Sequence, residues 1–118
     1  MPARVLIVDD SAFMRSHLRQ ILEVEYEVVA EAETGEGAVT AYAEHDPDVV
    51  TMDIVMPEVD GIEATLRIRD ADPEACVVMC TSVSQAEKMR AAVDAGAASY
   101  VTKPFDGPEV LDAVGEVV

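Results

Sequence analysis

The chain has 118 residues, half of them hydrophobic, which is enough for one domain with one core and too little for two. Its 24 acidic residues against 8 basic ones give a net charge of −16, which argues against nucleic-acid binding because phosphates would be repelled. No apolar run approaches the roughly 20 residues of a membrane span, and Asp9-Asp10 interrupts any N-terminal signal region at once, so a cytoplasmic protein is expected. The acidic excess is spread along the chain. A surface adapted to a salt-rich cytoplasm has that distribution, because screening there removes self-repulsion; an acidic protein that meets a basic partner is the alternative.

The first predicted strand is the β-branched run Arg4 to Val8, which ends in Asp9-Asp10. Ser11 offers an N-cap to a helix whose core stripe is Met14, Leu18, Ile21 and Leu22. His17 lies off that stripe and is expected in solvent. Tyr26 to Glu31 reads as a second strand, and Glu27 and Glu31 place it at a sheet edge. Thr34-Gly35 opens a second helix that runs to about Glu44, with Ala38, Ala41 and Tyr42 inward and His45 at its end suiting the helix dipole. Pro47 blocks its continuation.

The third strand lies in the stretch Asp48 to Gly61, DVVTMDIVMPEVDG. Its apolar run suits a strand buried on both faces of a parallel sheet. Asp53 sits within or at the carboxyl end of that run, where a carboxylate requires a cation, a proton or hydrogen-bond donors. Asp60 and Glu63 form a capping-box pair for a third helix carrying Ile62, Leu66 and Ile68. Cys76 to Cys80 is the fourth strand, and its two thiols stand too far apart along an extended chain to be bridged. Ser84 to Glu87 reads as a capping box for a fourth helix, which Gly96 ends in the left-handed conformation. Ser99 to Thr102 is the fifth strand, followed by Lys103-Pro104 and a last helix from about Gly107 with Val110, Leu111 and Val114 inward. Five unbroken β/α units predict an α/β fold with a parallel sheet covered on both faces.

The carboxyl ends of these strands carry the chemistry. They present Asp9-Asp10, Asp53, Thr81-Ser82 and Lys103, and ligands of open α/β sheets bind outside those ends. Three carboxylates in one crevice call for a divalent cation, and an oxygen-only ligand set suits magnesium. Asp53 then becomes a candidate nucleophile toward a phosphoryl donor, with Thr81 and Lys103 available to the phosphoryl oxygens.

On Asp9-Asp10, Asp53, Met56-Pro57 with Asp60-Gly61, Thr81, Tyr100 and Lys103-Pro104, the chain resembles the receiver domain of two-component response regulators over its full length. The resemblance implies a single receiver domain over residues 1–118, with a five-stranded sheet of order 2-1-3-4-5. It implies Asp53 as phosphoacceptor, and Mg2+ held by Asp10 directly, by Asp9 through water, by Asp53 and by the carbonyl of Val55. It further implies Thr81 and Tyr100 as switch residues, Lys103 as partner of the phosphoryl group and a cis Lys103-Pro104 peptide. The donor would be a phosphohistidine on a sensor histidine kinase, and the product a conformational switch. Such a protein is not an enzyme in the ordinary sense, although it catalyses its own phosphorylation and dephosphorylation.

With no output segment following, a stand-alone, monomeric receiver is expected. Cys80 to Met89 and Lys103-Pro104-Phe105 are similar to the archaeal chemotaxis members of the family, which implies a downstream adaptor or switch protein of the motility apparatus. A phosphorelay carrier that passes the group to another histidine has the same site. A flavodoxin-like electron carrier would want a Ser/Thr/Gly-rich phosphate loop where this chain has Asp9-Asp10-Ser11. An aspartate-nucleophile phosphatase would want D-x-D on the first strand and a longer chain.

Overall fold

A computed structural model describes residues 2–118. Five strands and five helices alternate: β1 (Arg4–Val8), α1 (Ala12–Leu22), β2 (Glu27–Ala32), α2 (Gly35–His45), β3 (Val49–Met52), α3 (Gly61–Ala71), β4 (Val77–Thr81), α4 (Ala86–Asp94), β5 (Ser99–Thr102) and α5 (Gly107–Val117). All strand pairs are parallel and the sheet order is β2-β1-β3-β4-β5. This is the architecture that the β/α alternation and the family resemblance imply. Among the described residues, no helix is long and apolar enough to cross a membrane.

The side-chain period of two sends alternate residues of each strand to opposite faces. Leu6, Val8, Val50, Met52, Val77 and Met79 fill one core with Ala38, Tyr42, Ala64 and Ile68. Val5, Ile7, Val49, Val78, Cys80 and Val101 fill the other, with Leu18 and Leu22 of α1 and Val110 and Val114 of α5. The central strands β1, β3 and β4 are thus buried on both faces, which is why their sequences show apolar runs rather than alternation. Thr51 and Thr81 are polar exceptions, both fully buried, and the Thr51 hydroxyl has no hydrogen-bond partner among the described residues.

Several boundaries and contacts differ from the sequence reading. Tyr26 is not the start of β2, because its amide donates to the Leu22 carbonyl at 2.8 Å and completes the exit from α1. Leu66 of α3 is 46% exposed; Ala64 and Thr65 take the inward positions with Ile68. Asp60 caps α3 through the Glu63 amide, but the Glu63 side chain pairs forward with Arg67 at 3.1 Å, so only half of a capping box forms. No box opens α4 either. Its N-cap is Gln85 with no side-chain bond, because Ser84 lies one residue too early for its hydroxyl to serve the first turn. His17 is not free in solvent: its ring stacks between Phe13 and Phe105, at centroid distances of 6.5 and 6.0 Å.

Candidate functional site

Three loops at the carboxyl edge of the sheet bring the acidic residues together. Asp9 directly follows β1 and its amide donates to the Ala32 carbonyl of β2 at 3.1 Å, while the Asp53 amide after β3 donates to the Val8 carbonyl at 3.0 Å. The ladder therefore extends one residue beyond each strand and fixes both backbones. Asp9 and Asp53 are buried, and Asp10 faces solvent. Carboxylate oxygens of Asp9, Asp10 and Asp53 all lie within 4.8 Å of one another.

Repulsion among these groups is offset from β5. The Lys103 ammonium donates to Asp9 Oδ2 at 2.8 Å and to Asp53 Oδ2 at 3.3 Å. Burial alone would lower the Lys103 pKa, but the hydrogen bond to Asp9 and the charge of Asp53 outweigh it, and the net shift is upward. The Ser11 amide donates to the second oxygen of Asp9 at 2.9 Å. Two buried carboxylates thus share one ammonium, and the Asp10 carboxylate beside them takes no part in the described ion pairs. That donor set has an unfilled need for positive charge.

The geometry suits a hard divalent cation. Oxygen ligands sit about 2.1 Å from Mg2+ and about 2.3–2.6 Å from Ca2+, so two ligands of one ion stand at most about 4.2 or about 5.2 Å apart; oxygens within 4.8 Å of one another need only close by about half an ångström to share Mg2+. Among the described residues no His or Cys joins the cluster, which disfavours zinc. Val55 lies two residues past Asp53 and is 59% exposed; its backbone carbonyl is the one oxygen it has to offer.

Gly61 explains part of the Met56-Pro57…Asp60-Gly61 pattern. A Cβ there would stand 2.0 Å from the Asp53 carbonyl oxygen, an impossible contact, so the loop after Asp53 folds back onto α3 only with glycine at this position. The Gly61 amide donates to the Ile54 carbonyl at 2.9 Å. Glu58, at the turn of the loop, adopts a positive φ of 66°.

Thr81 ends β4 with its side chain buried, and its hydroxyl accepts from the Val83 amide at 3.3 Å. Tyr100 of β5 is half-buried and its hydroxyl donates to the Val83 carbonyl. Val83 thus connects Thr81 to Tyr100 through both of its backbone polar groups. Burial, then the charge of Asp53, raises the Tyr100 pKa. The Lys103–Pro104 peptide is cis. Both thiols are free, and burial pushes that of Cys80 up to about 12.

The structure therefore gathers Asp9, Asp10, Asp53 and Lys103 into one cluster and links Thr81 with Tyr100 beside it. Sequence reasoning missed the Arg15 guanidinium, which donates to the Asp9 carbonyl at 2.7 Å. Its position one turn after Ser11 on α1 was the available signal. It also missed the clasp of Phe13, His17 and Phe105 at the rim, where apolar periodicity gave no hint.

Comparison with known proteins agrees with this geometry. The response regulator receiver domain family matches residues 5–115. The chain is 57% identical over 118 residues to the chemotaxis protein CheY of Halobacterium salinarum, covering all of this chain and 98% of that protein. It is 47% identical to CheY of Bacillus subtilis, covering 100% and 99% of the two chains. Among solved structures, the CheX-CheY-BeF3-Mg2+ complex from Borrelia burgdorferi contains a similar chain, with TM-score 0.95 and 36% identity over 99% of this chain and 90% of that one. An acidic crevice at the carboxyl edge of a 2-1-3-4-5 sheet, the lysine that spans it and this family match lead to one conclusion: the chain belongs to the response regulator receiver domain family, as a CheY-like member.

Proposed function

We propose that this receiver accepts a phosphoryl group on Asp53 from a phosphohistidine of a sensor kinase, with Mg2+ bound by Asp9, Asp10, Asp53 and the Val55 carbonyl, and thereby switches its binding to a motility-control partner in the cytoplasm. The observation that carries the reading is the buried Asp53 carboxylate, hydrogen-bonded to Lys103 and within 4.8 Å of two further carboxylates. In the transfer, an Asp53 oxygen forms the new O–P bond as the P–N bond to the donor imidazole breaks, and the imidazole departs with the electron pair and takes up a proton. The bound cation supplies charge neutralisation of the phosphoryl oxygens. Lys103 supplies a second positive charge at the same oxygens, and the Thr81 hydroxyl is the donor available to the third.

The signal leaves through Val83. Its amide is held by Thr81 and its carbonyl by Tyr100, so a phosphoryl group that recruits the Thr81 hydroxyl moves the loop that also seats the Tyr100 ring. The following helix α4 begins without a side-chain cap, so its first turn can shift at small cost. The output face on this reading is α4, β5 and α5, with Gln85, Lys88, Met89 and Lys103-Pro104-Phe105 along its border. This is a two-state element biased by local charge.

Incubation with a small-molecule phosphodonor and Mg2+ followed by mass spectrometry tests the chemistry. Wild type gains one phosphoryl group on Asp53, and Asp53→Asn, which keeps size but loses the nucleophilic charge, gains none there. Labelling of the variant at the wild-type rate refutes the assignment. NMR with and without beryllofluoride tests the switch: shifts should reach Tyr100 and α4, and shifts confined to the loops around Asp53 would sink it.

A further inference from the structure

Asp10 is the exposed member of the acidic cluster, and no side-chain hydrogen bond holds its carboxylate among the described residues. Its placement therefore depends on its backbone. The peptide between Asp9 and Asp10 is planar, so whatever fixes the Asp9 carbonyl also fixes the Asp10 amide and the position of the Asp10 Cα from which its side chain leaves. That carbonyl accepts from Arg15 Nη1 at 2.7 Å. The same guanidinium donates through Nε to Glu31 Oε1 of β2 at 3.2 Å, and Nη2 lies 4.0 Å from Glu33. The Arg15 side chain is only 15% exposed. Glu31 is in turn held by Arg19 through its other oxygen at 2.7 Å, so the guanidinium is braced from α1 and from the sheet edge at once.

From these contacts we infer that Arg15 is a positioning residue for the cation site: it clamps the Asp9–Asp10 peptide so that Asp10 is presented to the ion with Asp9 and Asp53. The inference rests on the cation-binding reading given under Proposed function. Its physics makes a prediction of opposite sign to simple electrostatics. Arg15 is a positive charge beside an acidic site, so removing it raises the negative potential and would tighten Mg2+ binding through charge alone. If the clamp dominates, removing it weakens binding, because the Asp10 carboxylate must then be ordered by the ion itself. Lysine does not substitute, since one ammonium lacks the planar fork that reaches the Asp9 carbonyl and Glu31 together.

The test is calorimetric titration of Mg2+ into the whole, unphosphorylated protein in molar KCl, with circular dichroism to verify folding. Arg15→Gln should weaken the Mg2+ affinity by about tenfold, the scale for losing a group that orients a metal ligand. Arg15→Lys should weaken it in the same direction while keeping the charge, and it serves alone if Arg15→Gln does not fold. Arg19→Gln loses a neighbouring ion pair with Glu31 but does not touch the Asp9 carbonyl, so it should stay within about twofold of wild type. Unchanged or tighter binding by the Arg15 variants overturns the inference, as does an equal loss in Arg19→Gln. A wild-type protein that binds no Mg2+ overturns the cation-site reading itself, a result distinct from failure of the clamp.

Discussion

Removal of the Lys103 ammonium is the most direct probe of the site's electrostatics. In Lys103→Met the stem volume is retained while the charge between Asp9 and Asp53 is lost. At 2.8 and 3.3 Å, two unit charges attract by about 6 and about 5 kcal/mol at an effective dielectric of 20. Most of that gross attraction is offset by taking the ammonium out of water. The reference for breaking a buried pair from one side is about 3–5 kcal/mol. Lys103 keeps 18% of its side chain in contact with solvent, which places the loss at the lower end, about 3 kcal/mol. Urea denaturation followed by circular dichroism in molar KCl reads it directly, once with a chelator and once with saturating Mg2+. The variant should lose about 3 kcal/mol with the chelator and recover most of it with Mg2+, since a dication placed among the same oxygens replaces the missing charge. A variant as stable as wild type in chelator would refute the reasoning. So would an equal loss in both buffers, because the lysine would then be acting through packing and not through charge.

Three further outcomes follow from the same geometry. Mg2+ at a hundred times its dissociation constant should stabilise wild type by about 2.7 kcal/mol, and Asp10→Ala should lose most of that response; a melting temperature indifferent to Mg2+ at constant ionic strength contradicts a shared site. Stability should hold at neutral pH and fall in alkali: a Cys80 pKa raised by burial to about 12 is stabilising in full below the ordinary thiol value of about 8.5 and is lost as the pH climbs from there toward 12. Lys103, also raised, adds to the loss above about pH 10.4. Cys80→Val should flatten the first part of that fall, and an unaltered pH profile in the variant would count against the thiol as its source. Stability should rise steeply with KCl, because the described ion pairs engage only Arg15, Arg19, Arg67 and Lys103 among the basic residues while the net charge is −16, and screening shortens from about 10 Å at 0.1 M to about 3 Å at 1 M; equal stability in dilute buffer and molar salt would favour a basic partner as the reason for the charge.

Much of this protein is determined locally and was therefore legible in its sequence. Strand identity followed from apolar runs such as Val5-Leu6-Ile7-Val8 and Val77-Val78-Met79-Cys80, because a strand covered on both faces has no polar side to show. Helix starts at Ser11, Thr34 and Asp60 followed from side chains that satisfy amides three residues on. Positions of Asp9-Asp10, Asp53, Thr81 and Lys103 at strand ends were enough to foresee convergence, because a parallel sheet puts all its carboxyl ends on one edge.

Other features were decided only by tertiary contact. Which of the two adjacent acids is buried does not follow from a pair of identical residues. Asp9 goes inward because its amide continues the β1–β2 ladder and its carboxylate meets Lys103, 94 positions away in the chain. Leu66 turns outward because the small side chains of Ala64 and Thr65 occupy the packed side of α3. The helix α4 starts from Gln85 without a side-chain cap, and not from Ser84. His17 is partly withdrawn from solvent where Phe105, brought across by the loop after β5, stacks on its ring. The sequence determined the elements and the chemistry of their ends, since both are written in short-range pattern. Pairings between distant loops depend on how the sheet and helices pack, and only the assembled fold specifies which charges are desolvated and which peptide each side chain holds.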